Sequence, residues 1–523
     1  MSERVSALAD ALLEQGVQAV FGVPGSGSSL QLITMCEQRG MPFYGVAHEA
    51  AGAIMAGAFG RQTGGLGCSI SIKGPGLANM LPGILTNRCE QLPAISVSEA
   101  YGADGPAFRM HKRLDQQAAT AWCTKAYATL GEPRETVQRL AACAREEVPG
   151  PVHLDLAARQ EPVFVSHALH GANGGAGVRD WAALRSLLDR SRRPLVIAGG
   201  LAKRLGWGAQ LSRLSVPVMT TLTAKGVIDE TLPHAAGIYT GEGQALSPEA
   251  QIVPQADLVI GLGLRNVEVL TPKSFGRPLV MVDAIGGLLA AGFGPVEVVS
   301  FEADQETAPM WDWLATRSWG ADLVGESTHR VRDRLVREAW LPGHVFARLE
   351  EALPEIGSLV TDTGLFCTVA EHVWRVRPTQ RFFASANGRS MGTALPTAIG
   401  ASLADRRAPT ICAVGDGGIG MYIAELKLAI EARLPLLVLL LTDGRYASVA
   451  SVPHARGLSR RATTLPRPSW YRAVQSLDCP AVQVGDIAAF LTALQGWAWR
   501  NGPQFIEAVF DPERYAAMTQ GLR

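Results

Sequence analysis

The chain has 523 residues, 47% of them hydrophobic and only 18% charged, with 56 glycines. One hydrophobic core does not grow to that length, so about three domains are expected, and the composition excludes a disordered or fibrous chain. Lys plus Arg and Asp plus Glu both total 48, which excludes a global field that would recruit nucleic acid or a membrane surface.

The opening MSERVSALADALLEQG reads as an amphipathic helix, without the basic-then-apolar order of a signal peptide. From residue 1 to about 165, strand and helix patterns then alternate. AVFGVPG, MPFYGVA, GCSISIKGPG, LPAISVSEA and GPVHLDLA read as strands, and HEAAGAIMAGAFGRQTG and LANMLPGILTNRCEQ as helices. Such alternation argues for a parallel sheet covered on both faces. The Gly-rich stretch 166–180 reads as a linker. A second α/β unit over about 180–322 carries RPLVIAGGLA, VPVMTTLTAKG, ADLVIGLGLR and RPLVMVDA. Its GLGLRN is not GxGxxG, so a dinucleotide is not the favoured ligand. A charged helical stretch around 326–340 leads into a third α/β unit, 340–523, laid out like the first. The fold class is thus α/β, with three doubly wound parallel-sheet domains. The longest apolar run, LPLLVLLL, is too short for a membrane span. Eight cysteines form no CxxC pair and no metal-ligand spacing, which suits a reducing, cytoplasmic setting.

The chemistry concentrates in VGDGGIGMYIAELKLAIEARLPLLVLLLTDGRY. A buried strand runs into Gly415-Asp416-Gly417-Gly418, a helix follows, and the next strand ends at Thr442-Asp443-Gly444. Parallel neighbours joined by one helix bring their carboxyl ends together, so both aspartates meet at one sheet edge. Two carboxylates beside phosphate oxygens make an oxygen-only site suited to Mg2+. The glycines leave N–H groups free for a phosphate.

This motif resembles that of the thiamine diphosphate (ThDP) decarboxylase and acetohydroxyacid synthase family, and the resemblance extends over nearly the whole chain. It implies Mg2+ held by Asp416, Asp443 and the carbonyl of Arg445. Thr442-Asp443 stands where the usual pair is Asn-Asn. In VAHEAAGAIMAGAFGRQTG it makes Glu49 the carboxyl group that activates the aminopyrimidine. In NGRSMGTALPTAIGASLA, Met391 would bend the cofactor into a V and the Arg389 carbonyl would accept from its amino group. TDTGLF would supply Thr363, Gly364 and Leu365 to the diphosphate, with Gly415, Gly417 and Gly418 opposite.

The family's cofactor lies between subunits, which implies a homodimer or homotetramer with active sites at the interface. Around the reacting carbon, the resemblance places Ser26 as a pocket residue and Lys73 and His111 beside it, with His111 as a candidate proton shuttle. Lys73, His111, Arg389, Arg445 and His454 together suggest a cationic pocket for an anionic substrate or acceptor. The stretch YASVASVPHARGLSRRATTLPRPSWY reads as a loop or lid over the site. Val449 stands where pyruvate decarboxylase-like enzymes carry an acid, and their adjacent-histidine pair is missing. The expected function is therefore decarboxylation of a 2-oxo acid with carboligation, as in acetolactate synthase-like enzymes. The alternatives are an aldehyde-releasing decarboxylase similar to benzoylformate decarboxylase, or a non-catalytic ThDP-binding homologue. The central unit resembles a domain that binds FAD in some synthases, but convincing flavin-contacting residues are missing, so FAD is not favoured.

Overall fold

The computed structural model describes residues 2–101, 108, 111–157, 162–167, 181–301 and 304–523. Three sheets follow one another along the chain, and helices connect their strands. The first runs, edge to edge, Phe43–Gly45, Val20–Gly22, Gly67–Ser71, Ala94–Ala100, Pro151–Ala157, Ala126–Thr129 and Phe164–Ser166. All its neighbours are parallel except the last pair. The third runs Arg381–Ala384, Ser358–Thr361, Thr410–Gly415, Leu436–Thr442, Gln504–Val509 and Ala481–Val484, and its strands are all parallel. Strand for strand, this is the winding of the first sheet without its antiparallel edge. The shared layout expected from the sequence is therefore present, and so is the α/β class. The central sheet holds six parallel strands between Pro194 and Ser300.

The continuous apolar runs became the fully buried strands, as two-sided burial requires. Leu436–Thr442 is buried at every position. Shorter strands escaped the pattern. Ala126–Thr129, Ala235–Ile238 and Glu297–Ser300 have four residues each, too few for periodicity to stand out. Of the Gly-rich stretch 166–180, all but the first two residues lie outside the described part. No helix among the described residues is long and apolar enough to cross a membrane.

The first and third sheets are joined by a shared core. The helix Glu49–Thr63 is buried from Glu49 to Gly60, because its small residues let a second helix, Ala394–Ala404, lie directly on it. Ala51, Met55 and Phe59 pack with Ala394, Ala398 and Ile399 in one cluster. A Cβ at Gly400 would strike the Met55 carbonyl.

Candidate active site

Strand Thr410–Gly415 and strand Leu436–Thr442 are parallel neighbours, and their ends bring Asp416 and Asp443 together. Asp416 holds the second turn in place. Its Oδ1 accepts from Thr442 Oγ1 at 2.5 Å, and its Oδ2 accepts from the backbone N–H groups of Asp443 at 2.9 Å and Gly444 at 2.8 Å. Thr442 thus supplies a donor to the first aspartate, which its hydroxyl can do without adding charge.

The Asp443 carboxylate is left over. Its Oδ2 is buried and has no partner among the described residues. Burial, then the nearby Asp416 charge, pushes its carboxyl up to about 7, against the pull of the Arg445 N–H and of the Arg445 and Arg467 charges. Two like charges and an orphaned buried oxygen fit a divalent cation, which would answer both. Arg467, from the expected lid segment, donates to the Asp443 carbonyl.

A cleft opens above these aspartates. Thr363, Gly364 and Leu365 line one side, Gly415, Asp416, Gly417 and Gly418 the floor, and Met391, Asp443 and Arg445 the rest. Ten of the residues expected at the cofactor therefore meet at one place. The glycines are there for room. A Cβ at Gly417 would lie 2.5 Å from the Tyr446 ring and 2.7 Å from Met391 Sδ, and one at Gly418 would run into Asp362 Oδ2. Tyr446 and Asp362 are not among the residues expected at the site, although Asp362 directly precedes Thr363. Asp362 is fully buried, and its Oδ2 accepts from Gly392 N at 2.8 Å. Thr363 Oγ1 donates to the Ser390 carbonyl at 3.1 Å, tying the two cofactor loops to each other.

Arg389 takes a left-handed φ of 48°, a conformation that needs support from its surroundings. Support comes from Glu371, 3.5 Å from the guanidinium, and from the first domain. There Glu90 accepts from the N–H groups of Ala386, Asn387 and Gly388 at 3.0, 3.3 and 3.1 Å. The reverse contact also exists. Glu425, in the third domain, accepts from Ala47 N and His48 N, each at 3.0 Å. His48 Nδ1 in turn accepts from Ala50 N at 3.2 Å, capping the helix that Glu49 begins. Burial pushes both carboxyls above their ordinary range, while the N–H donors pull the other way.

Glu49 itself is 8% exposed, and its Oε2 accepts from Asn79 Nδ2 at 3.2 Å. It does not line the cleft, and neither do Ser26, Lys73, His111, Arg389 or Val449. Ser26 is exposed on a turn wrapped around Glu99, whose Oε1 accepts from Gly27 N, Ser29 N and Ser29 Oγ. Lys73 Nζ lies 3.0 Å from Glu99 Oε2. Burial pushes the Glu99 carboxyl up, but the Ser29 hydrogen bonds and Lys73 outweigh it and leave it below its usual range. His111 is exposed, and its carbonyl accepts from Tyr101 Oη at 2.5 Å. Val449 is 49% exposed on the helix Ala447–Arg456.

Within one chain, the residues expected at a cationic pocket lie apart. Lys73, Arg389 and Arg445 each have a carboxylate partner, in Glu99, Glu371 and Glu513. The side chain of His454 lies outside the described part.

Three family models match the chain. They are the N-terminal binding domain of thiamine pyrophosphate enzymes over residues 4–119, their central domain over 181–285 and their C-terminal binding domain over 362–508. Among curated proteins, the chain is 27% identical to a probable 2-ketoarginine decarboxylase of Pseudomonas aeruginosa, over 83% of this chain and 81% of that protein. It is 24% identical to the large subunit of acetolactate synthase isozyme 2 of Escherichia coli, over 84% and 82%. It is also 24% identical to a sulfoacetaldehyde acetyltransferase of Castellaniella defragrans, over 84% and 81%.

Proposed function

The chain belongs to the thiamine pyrophosphate enzyme family, and from that premise we propose that it is a ThDP- and Mg2+-dependent enzyme that decarboxylates a 2-oxo acid and ligates the remaining carbon unit to a second carbonyl. The observation that carries this reading is the cleft over Asp416 and Asp443, with its unpartnered Asp443 oxygen.

Asp416, Asp443 and the Arg445 carbonyl would hold the metal, and Thr363, Gly364, Leu365, Gly415, Gly417 and Gly418 the diphosphate. When bound, ThDP supplies a nucleophilic carbon and an electron sink for the pair released as CO2 departs. Met391 and the Arg389 carbonyl would set its shape and orientation. Glu49 would hold a proton at the aminopyrimidine ring nitrogen, with Oε2 already engaged by Asn79. Ser26, on its Glu99-braced turn, is the side chain we assign to the substrate, and His111 to proton delivery. Val449 in place of an acid favours ligation over protonation to an aldehyde.

The proposed domains are 1–165, 180–322 and 340–523. A homodimer or homotetramer with the active site between subunits is supported by the cleft, whose lining comes from the third domain alone. We propose no FAD in the central domain. Its first Gly turn is already filled by a carboxylate, Glu268, whose Oε2 accepts from Gly200 N at 2.7 Å and Thr221 Oγ1 at 2.9 Å.

The test is CO2 release across a panel of 2-oxo acids with ThDP and Mg2+, with Glu49→Gln as control. Release should fall by at least about a hundredfold in the variant, and the product should be a ketol. An aldehyde product would select the second reading, which the likeness to the probable 2-ketoarginine decarboxylase favours. Bound ThDP with no turnover of any donor would refute both.

A further inference from the structure

A second cavity, of about 250 Å³, lies between the central domain, the helix Ala321–Val336 and the C-terminal end of the helix Leu365–Val373. The first residue of that last helix lines the cofactor cleft, so one helix of about 13 Å runs between the two sites. Val218, Ile228, Val324 and Val331 give this cavity an apolar wall.

Its charges are mostly answered from within the protein. Lys225 Nζ lies 2.5 Å from Glu230 and donates to the Trp374 carbonyl at 2.9 Å. Arg332 lies 2.9 Å from Glu350. Glu371 faces Arg389 and Arg523. Two of the lining residues carry donors that are not answered among the described residues. Trp374 is 1% exposed, and its Nε1 is buried without an acceptor. Arg375 has a buried Nε without a partner, and its guanidinium makes no ion pair among the described residues. Leaving a buried donor dry and unpaired is costly, and the half-buried Arg375 guanidinium has no carboxylate beside it among the described residues.

We propose that this cavity binds a small organic carboxylate, whose oxygens take the Arg375 guanidinium and the Trp374 indole N–H while its hydrocarbon part packs on Val218, Ile228 and Val324. A planar two-oxygen acceptor matches the guanidinium fork. The apolar wall asks for a hydrocarbon body, which inorganic phosphate lacks. His372 at the same end makes no hydrogen bond among the described residues, and burial, then the nearby Lys225 charge, pushes its proton affinity down to about 4, so it enters the site neutral.

Benzoate serves as the probe, titrated calorimetrically into the ThDP-loaded protein. Arg375→Gln should weaken binding by about tenfold or more, as loss of a charge-assisted pair does. Trp374→Phe keeps the ring packing and should weaken it by about threefold to tenfold. Benzamide should bind as weakly as benzoate does to Arg375→Gln. Crystals soaked in p-bromobenzoate should show anomalous density inside the cavity. Absence of benzoate binding at millimolar concentration, equal binding by the native protein and Trp374→Phe, or density only at the cofactor cleft would each overturn the proposal. Should Arg375→Gln fail to fold, Trp374→Phe and the soaked crystals decide.

Discussion

Replacing Asp362 by Asn removes a buried negative charge at the floor of the cofactor cleft. The native carboxylate has one oxygen on Gly392 N and the other, Oδ1, buried with no hydrogen-bond partner among the described residues. Burial pushes this carboxyl from 3.8 up to about 7, against the pull of N–H groups from Gly392, Thr363, Ala394 and Thr393. That displacement is worth about 4 kcal/mol against the folded state once the group is ionised. The sign follows from proton counting. Between pH 7 and 4 the folded protein holds this proton and the unfolded chain does not, so stability rises as pH falls through that window. From about pH 7.5 down to about pH 5, Asp362 should add about 2.5 kcal/mol to the unfolding free energy of the cofactor-free protein. Asp362→Asn keeps an acceptor for Gly392 and cannot titrate, so its rise over the same interval should be smaller by that amount. Urea unfolding of both proteins at both pH values measures the difference. Asp443 titrates in the same window, but it does so in both proteins and cancels. Equal rises, to within about 0.5 kcal/mol, would refute the assignment of this cost to burial at Asp362.

Gly418→Ala places a methyl group against Asp362 Oδ2 and near Gly392 N, so ThDP binding measured by calorimetry should be lost while the far-UV spectrum stays native. Asp443→Ala should abolish Mg2+-dependent cofactor binding with little change in melting temperature, because the turn is held mainly by the backbone of Asp443 and only at 3.4 Å by its side chain. Asp416→Ala frees three donors at once and should lower unfolding free energy by about 3 kcal/mol or more in addition. Glu90→Ala strands the N–H groups of Ala386, Asn387 and Gly388, with a comparable loss of about 3 kcal/mol, read as a fall in the denaturation midpoint.

What the sequence disclosed is what is local. The GDG turn, the Thr442-Asp443 pair and the TDTGLF loop each lie within a few residues at a strand end, and strand order alone brings them together. Asp362 belonged to the same short stretch and could have been found as the acid ending a buried strand. Glu99, Glu90 and Glu425 had no such signal. Their backbone partners lie 70 to 378 positions away, and a lone Glu has the same appearance whether solvated or buried under three N–H groups. The ion pairs within the expected cation cluster were hidden for the same reason. Lys73 and Arg445 are cationic in sequence, but the carboxylates that engage them, Glu99 and Glu513, are named only by the fold.

Glu90 and Glu425 also explain how two distant loops are set with one contact surface. In the first sheet Glu90 follows the helix after the third strand from the edge. In the third sheet Glu425 follows the corresponding helix. Each reaches the loop after the other sheet's edge strand, so Glu425 fixes the approach to Glu49 and Glu90 fixes the approach to Arg389 and Met391. Both loops begin the helices that pack on each other through Met55 and Gly400. A rotation between the domains would therefore break both carboxylate clamps and the helix contact together. In the proposed dimer the pyrimidine-end and diphosphate-end residues of one chain serve two different cofactors, and one interface sets both, so Glu425→Gln should loosen Glu49 without touching the cleft. Its signature is slower C2-proton exchange of bound ThDP at unchanged ThDP affinity, and equal exchange rates in variant and native protein would rule the clamp out as a determinant of Glu49 placement.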